Sequence, residues 1–455
     1  MPPRRELVVA ACCLPFQAEP VDGHILRPST GGLANAMVPA LRGLRAGWVG
    51  AATDDRADGE HGTLFVATAV IAHDDYELFY NGFANSTIWP LFHDNIRPPK
   101  FCADTWRAYQ SVNASVADEV VSQAERDGRV WVHDYHLLLV PDLVRRRRAD
   151  VRIGYFHHIP FPPVELFAQL PWRDELLRGL LGADLIGFQT VDDARNFTAA
   201  ARRFLRARGS RSRLAFGGRQ IDVRVFPITI DTKTIRATAT SATTQVRAHE
   251  LRLQLGRPDT LLLGVDRLDY SKGIDQRLVA IQQLLRRGVL DPARCVMIQV
   301  GIPSRGAIGE YAGTRERVEQ LVGEINGEFA TVGRPIVHNI HRKVPFDELV
   351  ALYRAADVML VTPFRDGMNL VAKEYVASRV DQAGALVLSE FAGAANELTD
   401  AYIVNPHDLE SLCGGIEAAV KSDQVECRRR MRALQRVVLR HDVHHWAHSF
   451  LDMLG

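Results

Sequence analysis

Two cations follow a buried apolar run near the middle of the chain. Residues 261–265 read Leu-Leu-Leu-Gly-Val, and Arg267 and Lys272 come just after them, ahead of Gly273. In an open α/β sheet, ligands bind outside the carboxyl ends of the strands, and the N-terminus of the next helix adds oriented N–H groups. Arg267 and Lys272 are therefore candidates for holding a phosphate group.

A second apolar run, 358–361, leads into the polar segment 362–369 and then to Glu374. Asp366 and Glu374 supply carboxylates, which accept strong hydrogen bonds from sugar hydroxyls. The two segments together predict a site for a phosphorylated, hydroxyl-rich ligand. Each residue also has a purely structural interpretation: the cations as an exposed pair, Asp366 as a helix N-cap, and Glu374 as half of an ion pair.

Length and composition limit the class of protein. A chain of 455 residues is longer than a domain with a single hydrophobic core usually is, so two domains are expected. Lys plus Arg number 55 against 54 Asp plus Glu, and this balance gives no overall field to attract nucleic acid or an anionic membrane. The expected partners are therefore small-molecule substrates, without nucleic acid or membrane, and a homo-oligomer stays open.

Cysteine usage and the N-terminus indicate the compartment. The six cysteines show no paired spacing of the zinc or redox kind, which fits a reducing environment. The apolar run 7–11 is shorter than the roughly 7–15 residues that a signal peptide needs, so we interpret it as a first buried strand. A cytoplasmic protein is predicted.

Strand-length apolar runs alternate with helix-length amphipathic segments, which is the pattern of an α/β fold with parallel sheets covered by helices. The predicted strands are 7–11, 64–71, 130–133, 152–157, 184–188, 261–265, 295–300, 336–340, 358–361 and 385–389. The predicted helices are 32–45, 137–147, 194–205, 276–287, 314–329 and 346–355. The extended segment 225–231 and the polar stretch 232–244 predict a hinge there, which divides the chain into domains 1–228 and 229–442.

Long blocks spread along the chain resemble the trehalose-phosphate synthases, a family of retaining glycosyltransferases. The blocks are Ser29–Leu33, Tyr80–Pro90, His133–His136, His158–Pro162, Gly264–Gly273, Pro303–Gly306 and Arg365–Glu374. The resemblance implies the GT-B architecture, with two Rossmann-like domains facing across an interdomain cleft. It places the acceptor on 1–228 and the nucleotide sugar on 229–442, with a final helix, 443–454, packed back on the first domain.

The resemblance also implies the reaction and the residues that perform it. Glucose from the co-substrate UDP- or GDP-glucose passes to glucose 6-phosphate and gives α,α-trehalose 6-phosphate, with no metal or other cofactor. Arg267 and Lys272 would grip the donor diphosphate, Asp366 the glucose hydroxyls and Glu374 the ribose. The catalytic candidates are Asp134, His158, Arg267, Lys272 and Asp366; the further donor-binding positions are Gly32, Gly367, Met368, Asn369, Leu370 and Val371; the acceptor-binding positions are Tyr80, Trp89, Asp134, Tyr135 and Arg305.

Four histidines invite a different interpretation, as zinc ligands. They are His133, His136, His157 and His158. No cysteine or carboxylate cluster accompanies them to complete a coordination set, so no metal site is predicted.

Two positions depart from the family pattern, both in the acceptor half. Cys12-Cys13 stands where the family has Asn-Arg, whose arginine contacts the acceptor phosphate, and Ala51 replaces the second tryptophan of a Trp-x-Gly-Trp motif. Loss of one guanidinium contact costs about 1.5–3 kcal/mol of acceptor binding. Three functions stay open: a synthase with a weakened acceptor site, a same-family transferase with another acceptor (a glucosylglycerol-phosphate or validoxylamine-type product), and a non-catalytic nucleotide-sugar sensor. The sequence does not distinguish UDP from GDP donors.

Overall fold

The computed structural model describes residues 4–18, 26–28, 37–41, 43–53, 58–303 and 309–455. The chain divides into two compact units, and each is built on its own β-sheet. Unit 1 comprises Met1–Ile228 with Val443–Gly455, and unit 2 comprises Thr229–Asp442. No helix among the described residues is long and apolar enough to cross a membrane.

The main sheet of unit 1 has parallel strands at its centre. The strands of the unit are β1 (Arg5–Ala10), β2 (Phe16–Ala18), β3 (Leu26–Pro28), β4 (Ala46–Ala52), β5 (Gly59–His61), β6 (Leu64–Val70), β7 (Ala124–His133), β8 (Arg152–Phe156), β9 (Leu185–Phe188), β10 (Arg208–Gly209), β11 (Arg213–Phe216) and β12 (Arg219–Val225). Their order in the main sheet is β10-β11-β12-β9-β8-β7-β1-β4-β6-β5, and β2 and β3 form a separate ribbon. The strands from β12 to β6 are parallel, so their carboxyl ends share one edge.

Helices cover this sheet, and one of them comes from the far end of the chain. The described helices of unit 1 are His73–Glu77, Trp89–Phe92, Ala103–Gln123, Val140–Arg145, Val164–Phe167, Arg173–Leu180, Val191–Leu205 and Val443–Leu454, with a π-helix at Leu78–Ile88 and a 3-10 turn at Tyr135–Leu137. In the C-terminal helix, Trp446 Nε1 donates to the Phe226 carbonyl at 3.1 Å, and Phe450 stacks on Trp131 with ring centroids 4.7 Å apart. The last residues of the chain therefore belong to the core of unit 1.

Unit 2 contains a parallel sheet, with six strands in its described part. They are β13 (Thr260–Arg267), β14 (Cys295–Ile302), β15 (Val337–Ile340), β16 (Val358–Val361), β17 (Ala385–Ser389) and β18 (Tyr402–Val404), in the order β15-β14-β13-β16-β17-β18. The helices are Thr232–Thr240, Ala242–Gln254, Ile274–Arg286, Gly309–Phe329, Phe346–Ala355, Leu370–Ser378, Leu409–Lys421 and Gln424–Val438, with 3-10 turns at Tyr270–Lys272 and Gly393–Asn396. Apolar clusters lie on both faces of the sheet, which explains why its strands read as continuous apolar runs.

The polar stretch 232–244, which we predicted to be part of a hinge, is helical instead. The Asp231 carboxylate accepts from the Thr234 N–H at 3.0 Å, and the Ser241 hydroxyl accepts from the Thr244 N–H at 3.2 Å, so both helices start with capped ends. Ile235 is buried in the core of unit 2. The threonines are polar, but capping and one apolar face are enough to form the helices.

Candidate functional site

The loops that follow β13 and β16 are joined by backbone contacts. The two strands are parallel neighbours, so both loops leave the same edge of the sheet. The Phe364 N–H donates to the Ser271 carbonyl at 2.8 Å, and a Cβ on Gly273 would clash with the Thr362 carbonyl oxygen. Gly273 also has φ +61°, a conformation that glycine adopts without strain. Close approach of the two loops therefore requires glycine at this position.

Lys272 and Asp366 meet across this junction. Their Nζ and Oδ2 atoms are 2.7 Å apart, and only 9% and 13% of the two side chains is exposed. Asp366 Oδ2 also accepts from Asn369 Nδ2 at 3.1 Å, and Asp366 Oδ1 accepts from the Met368 N–H at 3.2 Å. The structure thus brings together four residues that the motifs assign to the donor, in a setting unlike an exposed surface pair.

The loop after β16 ends in the helix Leu370–Ser378, and its N-cap is Asn369. The Asn369 side chain accepts from the Ala372 N–H at 3.1 Å, with φ +64° at Asn369. The interpretation of Asp366 as the N-cap is therefore wrong, and its carboxylate faces Lys272 instead. Leu370 and Val371 are the first residues of the helix, where N–H groups lack intrahelical partners and can receive an anion.

Glu374 lies one turn further along the same helix and accepts from Tyr353. The Tyr353 hydroxyl donates to Glu374 Oε2 at 2.9 Å. Burial raises the pKa of the Glu374 carboxyl, and the hydrogen bond from Tyr353 partly lowers it. Glu374 makes no ion pair with any described residue, so the ion-pair interpretation finds no support. Arg267, the last residue of β13, is exposed at the same edge of the sheet.

A fully buried arginine, which the sequence analysis missed, holds three strand ends together. Arg277 Nη1 donates to Asp266 Oδ2 at 2.6 Å and to Gln299 Oε1 at 2.9 Å, and its Nε donates to Thr362 Oγ1 at 3.0 Å. These partners lie on β13, on β14 and just after β16. The available signal was an arginine on the apolar face of an amphipathic helix, beside Ile274 and Leu278.

In unit 1, Asp134 adopts a backbone conformation that is unusual for an L-residue. It follows β7 with φ 72° and ψ 169°, a region that is essentially restricted to glycine and costs about 1–3 kcal/mol. Its N–H donates to the Phe156 carbonyl at 2.8 Å, and its Oδ1 accepts from the His158 N–H at 3.3 Å. These bonds hold the carboxylate at the end of the strand, and strain of this kind is typical of ligand sites.

His158 pairs with a second buried histidine at the same edge. His133 Nδ1 and His158 Nε2 are 3.0 Å apart, and the two side chains are almost completely buried. Burial lowers the pKa of His133 to about 3, and burial together with His133 and His157 lowers the pKa of His158 well below its usual range. Both rings are therefore neutral at neutral pH. Among the described residues, no group of three His, Cys, Asp or Glu side chains is arranged to hold a metal ion.

The aromatic residues of the predicted acceptor site differ in exposure. Tyr80 is partly exposed and stacks on His136, with ring centroids 5.6 Å apart and planes at 7°. Trp89 and Tyr135 are buried, and the Tyr135 hydroxyl donates to Asn85 Oδ1 at 2.7 Å. Neither buried ring offers an open face to solvent, so their direct contact with an acceptor stays a prediction.

The two departures from the family pattern are neighbours in space. The Ala51 N–H donates to the Cys12 carbonyl at 3.1 Å, which places the end of β4 against the residue before Cys13. The pKa of the Cys12 thiol is raised by its hydrogen bond with Cys13, by burial and by the nearby charge of Asp134. The pKa of the Tyr76 hydroxyl is raised by burial and by the two thiols. The Cys12 thiol and the Tyr76 hydroxyl are therefore uncharged at neutral pH. Gly32 and Arg305 lie outside the described residues.

Known proteins match this chain over nearly its whole length. The model of glycosyltransferase family 20 matches residues 27–455. A trehalose-6-phosphate synthase of Mycobacterium sp. (strain JLS) is 49% identical over 464 residues, covering 99% of this chain and 96% of that protein.

Solved structures agree with the sequence matches. An E. coli structure described as bound with UDP-2-fluoro glucose is 33% identical, with a TM-score of 0.90 and 98% of both chains covered. A Burkholderia xenovorans α,α-trehalose-phosphate synthase in complex with glucose-6-phosphate is 32% identical, with a TM-score of 0.89 and 98% and 99% covered. The predicted α/β fold of the GT-B type is confirmed. The resemblance drawn from the motifs is confirmed as well, and the chain belongs to glycosyltransferase family 20.

Proposed function

We propose that this glycosyltransferase makes α,α-trehalose 6-phosphate by transferring glucose from UDP- or GDP-glucose to glucose 6-phosphate with retention of configuration. The observation that carries the proposal is the Lys272–Asp366 pair, 2.7 Å apart at the joined ends of β13 and β16. A cation and a carboxylate at one strand edge match a ligand with both phosphate and hydroxyl groups. The 49% identical Mycobacterium protein, named trehalose-6-phosphate synthase, supports the same reaction.

On the donor side, unit 2 binds the nucleotide sugar. Arg267 and Lys272 hold the diphosphate, Asp366 accepts from glucose hydroxyls and Glu374 accepts from the ribose. When the bond between C1 and the diphosphate oxygen breaks, its electron pair stays on the diphosphate, and the prearranged cations stabilise the charge that develops. The loop 367–369 and the N–H groups of Leu370 and Val371 complete the binding of the sugar and diphosphate.

On the acceptor side, unit 1 binds the sugar phosphate. Asp134 holds acceptor hydroxyls, His158 contacts the glucose that is transferred, and Tyr80 lines the acceptor position. The acceptor hydroxyl attacks C1 on the face that the diphosphate leaves, and its proton passes to the departing phosphate oxygen. A separate protein nucleophile is then unnecessary, and the strain at Asp134 serves to hold its carboxylate towards the substrate.

An acceptor screen tests this function. The purified full chain receives UDP- or GDP-glucose with glucose 6-phosphate, glucose, glycerol 3-phosphate or cyclitol phosphates, and nucleoside diphosphate release and product mass are measured. We expect a phosphorylated disaccharide from glucose 6-phosphate. Donor binding without turnover on any acceptor would instead identify a nucleotide-sugar sensor.

A second candidate is the same transfer to a different acceptor. The observation that favours it is the corner formed by Cys12, Cys13 and Tyr76, three side chains that supply no cation, next to Ala51 on β4. A neutral thiol cannot replace a guanidinium in holding a phosphate. Turnover in the screen with glycerol 3-phosphate or a cyclitol phosphate, and none with glucose 6-phosphate, would select this candidate.

Restoring a cation at position 13 separates the two candidates. We expect Cys13→Arg to lower KM for glucose 6-phosphate by about ten- to a hundredfold, because one charged contact is worth about 1.5–3 kcal/mol. Cys13 is exposed, so an arginine fits without displacing the core. The matched control is Cys102→Arg, which adds the same charge at another exposed cysteine and leaves KM unchanged. An unchanged KM in Cys13→Arg would indicate a remodelled acceptor site.

The rise of the donor KM at low pH should depend on Tyr353. We expect KM for the nucleotide sugar to rise as pH falls through the raised pKa of Glu374, because a protonated carboxyl no longer accepts from two ribose hydroxyls. Tyr353→Phe removes a hydrogen bond that favours the carboxylate, so the rise begins at a higher pH. Donor KM measured from mildly acidic to neutral pH checks this.

The control for that series is Tyr375→Phe. The Tyr375 hydroxyl donates to the Asp357 carbonyl at 3.3 Å, on the same helix but away from Glu374. The donor KM of Tyr375→Phe should therefore depend on pH in the same way as that of the unmodified chain. Coinciding profiles for all three proteins would contradict the ribose assignment of Glu374.

A cytoplasmic location is also part of the proposal. All six cysteines lie in the described residues and none of them forms a disulfide, which suits a reducing compartment. The substrates proposed here are small molecules.

A further inference from the structure

The C-terminal helix, Val443–Leu454, has two histidines one turn apart on the face that points away from the core. Trp446 and Phe450 are buried on the opposite face, whereas His448 is exposed and His444 is half-buried. Residues four apart in a helix are neighbours, with Cβ atoms about 5–6 Å from each other. The two imidazole rings therefore lie side by side at the surface of unit 1.

The ring of His448 is already oriented by the backbone of the preceding turn. Its Nδ1 lies 2.7 Å from the carbonyl oxygen of His444. A carbonyl oxygen only accepts hydrogen bonds, so Nδ1 carries a proton, and in the neutral ring the lone pair is then on Nε2. Histidines that bind metal ions usually donate their other ring N–H to a carbonyl or a carboxylate in this way. The Nε2 atom of His448 is thus prepared as a ligand.

The His444 ring can supply a second ligand to the same ion. Neither this ring nor Nε2 of His448 makes a hydrogen bond or an ion pair within the part of the chain that the structure describes. Two nitrogens that each bind Zn²⁺ at about 2.0–2.1 Å are about 3.3 Å apart, a separation that rings on adjacent helical turns reach. Zinc-binding helices with two histidines use the same spacing of four residues.

The charges of the helix favour a cation on this face. Asp452 follows His448 by four residues, is exposed and forms no ion pair with any described residue. The segment Val443–Leu454 contains no lysine or arginine that would repel a bound ion. The positive end of the helix dipole acts mainly in the first turn, and His448 lies beyond it.

We propose that His444 and His448 form a two-ligand site for a divalent transition metal ion of the Zn²⁺, Ni²⁺ or Cu²⁺ class, with water in the remaining coordination positions. Imidazole nitrogen suits these ions, whereas Mg²⁺ and Ca²⁺ take oxygen ligands. A bound ion links two turns of the helix that carries Trp446 and Phe450 into the core of unit 1. The site has no role in the proposed transfer of glucose, so it stands or fails independently of that function.

Isothermal titration calorimetry of the full chain with ZnCl₂ or NiCl₂ tests the site. We expect His444→Asn and His448→Asn each to weaken binding of one metal ion per chain by at least about tenfold, because losing a group that only orients a ligand already costs about 10–100-fold. MgCl₂ should give the same isotherm with all three proteins. Zn²⁺ and Ni²⁺ isotherms of both variants that coincide with those of the unmodified chain would overturn the proposal.

His445 is the competing partner for His448, three residues away on the same helix. Its Nε2 lies 3.4 Å from the Ser449 hydroxyl, so its ring already has a neighbour. We expect His445→Asn to leave the affinity for Zn²⁺ and Ni²⁺ unchanged. Loss of the bound ion in His445→Asn, with normal binding in His444→Asn, would contradict the assignment of His444.

Hydrogen exchange gives a readout besides affinity. Because the ion links two turns, Zn²⁺ should slow backbone exchange within Val443–Leu454 of the unmodified chain and have no such effect in His448→Asn. The matched control is His249→Asn, since His249 is an exposed helical histidine with no other histidine three or four residues away. This variant should behave like the unmodified chain. Exchange that Zn²⁺ slows equally in His448→Asn would show that the ion binds elsewhere.

Discussion

Lys272→Ala should lower kcat by about a hundred- to a thousandfold while the protein stays folded. The expected size is that of losing one preorganised group that stabilises charge developing in the transition state. Lys272 is nearly buried and held by Asp366 at 2.7 Å, so its charge is in place before the reaction begins. Steady-state kinetics with a saturating donor measures the effect, and Arg267→Ala should act in the same direction.

The control for this experiment is Lys421→Ala. Lys421 is an exposed lysine on the helix Leu409–Lys421, paired with Glu417 one turn away, and an exposed pair of this kind contributes little. It removes the same charge and should leave kcat unchanged. Activity within a few fold of normal in Lys272→Ala would contradict the assignment of Lys272 to the donor diphosphate.

Arg277→Leu should cost unit 2 about 3–5 kcal/mol of stability. The substitution leaves the Asp266 carboxylate buried without its cation, and an uncompensated buried charge is strongly destabilising. At about 2–4 °C per kcal/mol for a domain of this size, the melting temperature should fall by roughly 6–20 °C. Calorimetry or circular dichroism measures the transition.

The same helix provides the comparison. Arg286 forms a two-point ion pair with Glu328 at 2.8 and 2.7 Å, but both side chains are exposed. Arg286→Leu should therefore leave the melting temperature close to that of the unmodified chain, because an exposed ion pair contributes little to stability. A shift for Arg277→Leu as small as that for Arg286→Leu would show that the buried network does not stabilise the strand ends.

The strands of unit 2 were well predicted from the sequence, whereas some helices and edge strands were not. β16 and β17 match the predicted limits because a strand buried on both faces reads as one continuous apolar run. The helix Ala103–Gln123 was not among the predicted helices, since its valines, serines and asparagine have weak helix propensity. The edge strands β10 and β11 are short and largely polar, so no apolar run marks them.

The site residues were recognisable one by one, but their contacts were not. Lys272 and Asp366 meet because β13 and β16 are adjacent in the sheet. Neither sequence segment alone predicts that the two strands are neighbours. In the sequence, Arg277 looks like an ordinary charged residue of an amphipathic helix. Only the structure shows that it donates hydrogen bonds to Asp266, Gln299 and Thr362 at the ends of three strands. For the same reason, the pairing of His133 with His158 depends on β7 lying beside β8.

The return of the C-terminal helix to unit 1 affects the order in which the protein is made. Unit 2 is one continuous segment, Thr229–Asp442, and all of it has been synthesised before Val443 is added. Unit 1 lacks Trp446 and Phe450 until all of unit 2 has been synthesised, so Trp131 stays until then without the ring that stacks on it. Domains commonly mature on the ribosome from the N-terminus onwards. In this chain the unit that starts first is the one that is completed last.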